Sequence, residues 1–565
     1  MQNGIKRLLI ILILITTVIN TANAQALSDS MINKIDQLFK KWDKPNTPGC
    51  VVGIVRNDSL IYSKGYGLAN LENNIANTPQ SIYYMASISK QFTAYAITLL
   101  ARQGKLKIDD DIHQYLPWMA DFGKKITIRN LLNHTSGIRD DINLMAILGI
   151  GPDGMLTQTQ ALKILKGQRT LNFPPGEMFS YSNSNYVLLA EIVKVASSQN
   201  FRSFTNDAIF KPLGMTNTRF IDDNREVVKN RVPSYNKTGP NTFKNNYQNI
   251  YTLGDGGLFT NLTDMAHWIM NFYNPKAGDA KDIIQLTEKG KLNSGKEISY
   301  ARGINVDSAR GWKIFAHNGA LAAYNTMVAI YPDLKTGFIV FGNGGDNEIY
   351  SKPTQLAELL IPDIRKNTVP AAAKRDSAIA QLKDPDSFKQ FEGNYISDNG
   401  YRTKFSIAKG KLWVNKDNLL INESGNTFSL FADPTATKYI FSNNKTGATA
   451  ELQSRYLDRP SHLVKYSNDA TLSDKFLQTY IGTYYSPELD CTYYIRLKDH
   501  YLYFANNLHA DATITMLGPN DLSGNNSPLD HVSVIREKGK IIGFELNSGS
   551  LMHLRFNKIA EEPGL

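Results

Sequence analysis

A serine and a lysine stand three residues apart at the head of an apolar run, in Met85-Ala86-Ser87-Ile88-Ser89-Lys90-Gln91-Phe92-Thr93-Ala94. Phe92, Ala94, Ile97, Leu99 and Leu100 continue it with helical spacing, and Gly104 closes it. Residues i and i+3 share a helical face, so the spacing predicts that Lys90 reaches the Ser87 hydroxyl. First-turn N–H groups and the helix dipole favour negative charge developing at Ser87. A free serine is a poor nucleophile, and a neighbouring amine held neutral can take its proton. Ser87 and Lys90 are therefore candidate nucleophile and base.

Spacing alone does not single out this pair. Ser-x-x-Lys recurs at Ser234/Lys237, Ser406/Lys409 and Ser442/Lys445. Ser234 lies in a Pro/Asn/Gly-rich loop, and the other two lie in strand-like surroundings. Only Ser87 opens a helix-like run.

A chain of 565 residues exceeds one hydrophobic core, so two to four domains are expected. With 42% hydrophobic and 20% charged residues, disorder over most of the length is not expected. Residues 1–24 read as a secretory signal: Lys6 and Arg7, the apolar run Leu8 to Val18, then Ala22-Asn23-Ala24 before Gln25. The alternative is an uncleaved anchor, but the run is short for a spanning helix. The chain is expected to be exported, periplasmic or extracellular, with no stable membrane span after cleavage. The net charge of +10 falls to +8 without Lys6 and Arg7. Its positive residues are dispersed, without basic helices or aromatic-interleaved runs, so nucleic-acid binding is not expected. Cys50 and Cys491 have apolar and aromatic neighbours and read as separate buried thiols, although export permits a disulfide. No Cys/His cluster has metal-ligand spacing, and neither metal nor cofactor is expected.

Along the chain, Gln25 to Trp42 predicts an amphipathic helix, with Ile35, Leu38 and Phe39 on one face. Gly49–Val55 and Leu60–Tyr66 flank Asn57-Asp58 as a hairpin. Ile126 to His134 predicts a helix running into Thr135-Ser136-Gly137. His134 reads as a structural histidine bonding loop backbone rather than as a base. Tyr181-Ser182-Asn183 follows a Pro-Gly turn and precedes a helix from Tyr186 to Ala196, so it can supply a base and a substrate anchor. A tyrosine beside a cationic lysine loses its proton more easily. Asn261 caps a helix through Met270. Gly311 to Gly319 predicts a strand ending in a tight backbone approach, and Tyr324–Tyr331 and Phe338–Phe341 are two more strands.

At these positions the chain resembles the serine β-lactamase and penicillin-binding-protein superfamily, in its class C-like branch of D-aminopeptidases, D,D-peptidases and esterases. The resemblance spans Lys41 to Asn343. It rests on Met85 to Lys90, Leu131-Leu132-Asn133-His134-Thr135-Ser136-Gly137, Pro175 to Asn183, Pro212-Leu213-Gly214-Met215, Gly256-Gly257-Leu258 and His317-Asn318-Gly319, in the family's order. It implies an α+β catalytic domain, an antiparallel sheet flanked by helices plus a helical lobe, with the site between them. It also implies an acyl-enzyme on Ser87, with Lys90 and Tyr181 sharing the proton work. Asn183 would hold the substrate amide, with His317 and Gly319 on the substrate side. The backbone N–H groups of Ser87 and Ala320 would form the oxyanion hole. One departure matters: His317-Asn318-Gly319 stands where many members carry Lys-Thr/Ser-Gly. Histidine clamps a substrate carboxylate less reliably than lysine. This favours peptides or esters over β-lactams. The literal Lys335-Thr336-Gly337 reads as a hairpin turn.

The last third contains an internal repeat. Phe391-Glu392-Gly393-Asn394-Tyr395-Ile396-Ser397 matches Tyr480-Ile481-Gly482-Thr483-Tyr484-Tyr485-Ser486 at an offset of 89. Short alternating strands follow each copy, predicting two small antiparallel, lipocalin-like barrels with aromatic cores. The D-aminopeptidase resemblance implies the same tandem, with a barrel loop helping to shape the site. The expected layout is a signal at 1–24, a catalytic domain at 25–366, a linker at 367–386, and barrels at 387–468 and 469–565. The expected function is acyl-serine hydrolysis of small peptides, amides or esters, including cell-wall fragments. Two alternatives stand beside it: a penicillin-binding or β-lactamase-like protein that turns over slowly, and a non-enzymatic binding protein on the same fold.

Overall fold

The computed structural model describes residues 27–150, 154–365, 382–397, 400–431, 437–444, 447–454, 460–466, 473–525 and 528–561. The expected signal at 1–24 lies outside them, as does the expected linker up to residue 381. Helix α1 (Asp29–Phe39) begins at Ser28, whose hydroxyl accepts from Met31 N. It is shorter than the amphipathic pattern at both ends. Strands β1 (Cys50–Arg56) and β2 (Ser59–Tyr66) form the expected hairpin. Helix α2 (Ser89–Arg102) follows the turn that carries Ser87. Helix α3 (Asn183–Ser197) starts three residues before the predicted Tyr186. Helix α4 (Leu262–Asn271) has the expected cap, Asn261 Oδ1 accepting from Asp264 N at 2.8 Å.

Strands β3 (Asn305–Ala309), β4 (Trp312–Leu321), β5 (Tyr324–Tyr331) and β6 (Thr336–Gly342) complete an antiparallel sheet ordered β3-β4-β5-β6-β1-β2. The first and last strands of this sheet in chain order thus pair directly, Cys50 of β1 facing Gly342 of β6. Helices cover both sheet faces, which is why β1 is buried along nearly its whole length. Cys50, Val52 and Ile54 pack with Ile35 and Phe39 of α1 and with Leu356 of α5 (Lys352–Leu360). Val51 and Val55 face the helical lobe and its large core, which contains Phe92, Leu262 and Trp268. Lys335-Thr336-Gly337 sits at the far end of the sheet, Thr336 pairing with Tyr331 and Arg56. The end of β4 that carries Gly319 and Ala320 is elsewhere, Ala320 lying opposite Asn325. Strand β4 continues two residues beyond the predicted stop at Gly319.

Two closed eight-stranded antiparallel barrels follow, from Gly393–Ser397 to Ser461–Tyr466 and from Gly482–Ser486 to Leu551–Ala560. The repeat is structural as well as textual. Tyr395 Oη donates to Phe391 O at 3.0 Å, and Tyr484 Oη donates to Tyr480 O at 2.7 Å, again 89 residues apart. The aromatics fill the barrels: Phe405 packs on Phe441 at 4.8 Å, and Phe544 on Phe556 at 4.8 Å. Both cysteines are free thiols, Cys50 buried and Cys491 half-buried.

Candidate active site

Ser87 lies in a tight 3-10 turn, Ala86–Ile88, just ahead of α2 rather than inside it. Ala86 has φ +47°, a left-handed conformation that costs a non-glycine residue energy and persists only where packing enforces it. The enforcement is visible. Thr326 Oγ1 donates to Met85 O at 3.0 Å, and Leu258 N donates to Ser89 Oγ at 3.2 Å. From Ser81 to Lys90, Ser87 alone is half-exposed; its neighbours are buried.

Lys90 is buried, and its Nζ has three oxygens around it. Ser87 Oγ is 3.2 Å away, Asn183 Oδ1 2.8 Å and Asp255 O 2.9 Å. The backbone behind it is close-packed: a Cβ on Gly303, whose φ is +72°, would stand 2.5 Å from Lys90 O. Tyr181, half-buried on the loop before α3, places its ring 4.9 Å from Lys90 Nζ. That ring lies tilted against His134, with ring centroids 4.2 Å apart. His134 Nδ1 accepts from Ser182 N at 3.2 Å and lies 3.1 Å from Asn185 Nδ2, so His134 shapes the Tyr181 loop, the structural role its sequence context predicts.

Asn183 is the first residue of α3, and both ends of its amide are engaged. Its Oδ1 accepts from Lys90, and its Nδ2 donates to Asp140 Oδ2 at 2.9 Å. Beside them are two further buried carboxyls. Burial pushes the Asp255 carboxyl up, against the pull of the Lys90 ammonium. Burial, with Asp140 and Asp255 adding to it, pushes Asp141 well above the ordinary carboxylate range.

His317 is buried on β4. Its Nδ1 is 2.6 Å from Asn318 O, and its Nε2 is 3.1 Å from Tyr300 Oη. With Nδ1 donating to the carbonyl, Nε2 accepts from Tyr300. Burial pushes the imidazole down to about 4, the Asn318 carbonyl opposing and Lys90 reinforcing the shift. It is neutral at neutral pH and already has two partners, so it offers no positive charge to a substrate. Gly319 abuts the nucleophile turn: a Cβ there would meet Met85 O at 2.2 Å and Ala86 Cβ at 3.2 Å. Ala320, exposed, is the next residue. Tyr181 and Phe179 also border a small apolar cluster of Leu292, Ile298 and Tyr300.

The structure therefore brings together Ser87, Lys90, Tyr181, Asn183, His317, Gly319 and Ala320 where the sheet meets the helical lobe. Among the described residues, Ser234/Lys237 and Ser406/Lys409 form no such site. Ser234 is buried and donates to Asn246 O, and Ser406 sits in a barrel strand; Lys445 lies outside the described residues. Sequence reasoning missed Asp140 and Tyr300. Asp140 follows Thr135-Ser136-Gly137 by only three residues, and two adjacent acids in a largely apolar stretch were the available signal.

A serine and a lysine in hydrogen-bond contact, with a tyrosine against the lysine, thus stand between an antiparallel sheet and a helical lobe, a layout that suits a serine hydrolase. The Beta-lactamase family model matches residues 35–360, more than half of the chain, and the chain belongs to that family. Protein flp of Staphylococcus aureus is 27% identical over 331 residues, 56% of this chain and 64% of that protein. A D-aminopeptidase of Brucella anthropi is 27% identical over 314 residues, 55% of this chain and 59% of that protein. The chain thus matches less than two thirds of the length of these curated relatives. Among solved structures, the octameric penicillin-binding protein homologue from Pyrococcus abyssi superposes with a TM-score of 0.53 at 20% identity, over 77% of this chain and 100% of that one. D-amino acid amidase from Ochrobactrum anthropi, complexed with D-phenylalanine, gives 0.50 at 17% identity, over 59% and 98%. At these identities they establish the fold.

Proposed function

We propose that this protein is an exported serine hydrolase that works through an acyl-Ser87 intermediate on small peptides, amides or esters. The observation that carries the proposal is the set of three oxygens around Lys90. A neutral amine has two N–H bonds and one lone pair. The ammonium donates to all three oxygens; once it has given up the proton facing Ser87, Asn183 Oδ1 and Asp255 O hold the two remaining N–H bonds and the lone pair is left toward Ser87 Oγ. As the Ser87 oxygen attacks a carbonyl carbon, its proton moves to Lys90. The resulting ammonium finds an acceptor for every N–H. Tyr181 would then pass a proton to the leaving group, a role that its ring against Lys90 supports. The N–H groups of Ser87 and Ala320 serve the developing oxyanion.

The surroundings favour particular substrates. His317 is neutral, which disfavours ligands held by a carboxylate next to the scissile bond, penicillins among them. The apolar wall beside Tyr181 and Phe179 suits an apolar acyl side chain. The similarity to a D-aminopeptidase makes D-configured aminoacyl amides and esters the first class to try. Export is supported by the charged start, apolar run and small-residue site of residues 1–24.

Intact-protein mass spectrometry after exposure to a fluorophosphonate and to a penicillin tests the proposal, with Ser87→Ala alongside. A fluorophosphonate adduct on the wild type alone is expected. A persistent penicilloyl mass would instead identify a slow-turnover penicillin-binding protein. No adduct from either reagent would overturn the hydrolase assignment.

A further inference from the structure

Arg139 is buried deep in the catalytic domain, yet its side chain is held by the second barrel. Its Nε donates to Met552 O at 2.9 Å, its Nη2 to His553 O at 2.9 Å, and its Nη1 to Glu488 Oε2 at 3.0 Å. The side-chain exposures are 0% for Arg139 and 6% for Glu488, so this ion pair is out of water. Gln168 Oε1 at 3.2 Å and Thr170, with its carbonyl at 2.7 Å and its hydroxyl at 2.8 Å, supply the remaining acceptors. Glu488 follows the barrel's first strand, and Met552 and His553 open its last. Around this anchor the same barrel hairpin makes further bonds. Ser550 O accepts from Asn172 Nδ2 at 2.6 Å, Met552 N donates to Asn172 Oδ1 at 2.7 Å, and Asn143 Nδ2 donates to Ser550 Oγ at 2.8 Å.

The main chain at the same place grips the first turn of α3. Ser184 Oγ donates to Arg139 O at 2.7 Å, and Asp141 N donates to Ser184 Oγ at 2.7 Å. One oxygen of Asp140 accepts both the Asn183 backbone N–H, at 2.6 Å, and its side-chain Nδ2, at 2.9 Å. That carboxylate fixes which way the Asn183 amide faces. Turned over, the amide would aim its oxygen at Asp140 and its N–H groups at Lys90, repulsive on both sides.

We infer that the second barrel is a working part of the active site: its grip on Arg139 holds Asp140 in place, and Asp140 sets Asn183 and so the direction of the Lys90 lone pair. Asp140 and Arg139 are positioning residues in this scheme. The scheme rests on the hydrolase proposal for its chemical consequence, but the mechanical coupling is independent of it.

The test uses the full chain with Glu488→Gln, which removes the charge and keeps the shape, and Asp140→Asn. Asp474→Asn, which breaks an exposed pair with His500 on the same barrel, serves as control. Two quantities are read: hydrogen exchange of peptides covering 180–186, and the rate of fluorophosphonate attachment to Ser87. Melting temperature and the exchange of barrel-core peptides report folding. Glu488→Gln is expected to speed exchange at 180–186 and slow attachment, each by roughly tenfold, an ordinary strength for coupling between sites. Coupling is reciprocal, so Asp140→Asn, which leaves the barrel untouched, is expected to speed exchange at 548–553. This second arm decides the matter if Glu488→Gln does not fold. Wild-type exchange at both segments would overturn the inference, as would slower attachment without any change in exchange. Coupled exchange in a protein that the fluorophosphonate never labels would leave the inference standing and remove the hydrolase proposal instead.

Discussion

Gly319 and Met85 are in such close contact that any side chain between them is excluded: a Cβ on Gly319 would lie 2.2 Å from the Met85 carbonyl oxygen. Strand β4 is thereby drawn up against the turn that carries Ser87, with Ala320 the next residue along the strand. The neighbouring Thr326 Oγ1 would stand 2.4 Å from the same Cβ, so there is no second direction in which to give. Gly319→Ala is expected to push the strand off the turn. The stability loss is expected to be about 1–3 kcal/mol, as for other overpacked sites, measured by urea unfolding. Fluorophosphonate attachment should fall more steeply than that loss predicts. A variant with wild-type attachment would show that Ala320 does not have to sit where it does.

Tyr181→Phe separates the ring from the hydroxyl. The phenyl ring can still lie over Lys90 Nζ and against His134, so stability is expected to stay within roughly 0.5 kcal/mol of wild type. If the hydroxyl carries a proton, turnover of a D-aminoacyl ester or amide should fall by about 10²–10⁴-fold. Amides should suffer more than esters, because the amine leaving group needs the proton more. Equal activity on both substrate types would take Tyr181 out of the proton path.

Residue types and spacing point to Ser87, Lys90 and Tyr181, which the fold brings side by side, because the segments that carry them sit at boundaries that sequence marks. Ser87 precedes an apolar helical run, and Tyr181 follows a Pro-Gly turn. The barrels were legible through the 89-residue repeat, which preserves even the Tyr395 and Tyr484 hydrogen bonds. Asn183 was expected to face substrate, whereas its amide is held between Lys90 and Asp140. Such a bond joins residues 43 apart, and nothing local encodes it. The same holds for Arg139 and Glu488, 349 residues apart, which only the docking of the second barrel brings together. The ionisation of His317 was equally out of reach, because burial decides it rather than its neighbours in sequence.

That burial makes a prediction about acid. His317 titrates near 4 in the folded protein, against about 6.5 in an unfolded chain. Between those values the unfolded chain takes up a proton that the folded one refuses. Stability therefore falls as pH drops from about 6.5 to about 4 and is unaffected by this group above that window. The full loss is on the order of 3 kcal/mol for one such histidine. His134, pushed well below 6.5 by burial and by Lys90, acts in the same direction. His317→Gln should make unfolding free energy less steep in pH between 4.5 and 6.5. Parallel pH profiles for variant and wild type would mean that His317 takes up its proton alike in the folded and unfolded chains.

The two barrels are alike in topology but differ in how they join the rest of the protein. The first has an apolar core of its own, built from Leu382, Phe391, Tyr395, Phe405 and Phe441 among others. The core of the second is continuous with that of the catalytic domain: Tyr493, Phe544 and Phe556 belong to the same cluster as Phe92 and Trp268. Tyr493 Oη donates to Ile147 O at 2.8 Å across the junction, near the buried Arg139–Glu488 pair. A shared core and a desolvated ion pair make unfolding of one part costly to the other. Calorimetry is expected to show two transitions, with the first barrel melting separately and the second melting together with the catalytic domain. Hydrogen exchange should assign them: peptides from 402–414 exchanging in one step, those from 491–504 and 89–102 together in the other. If 491–504 exchanged with 402–414 instead, the barrels would be one unit, and the second could not hold Arg139 as a fixed part of the catalytic domain.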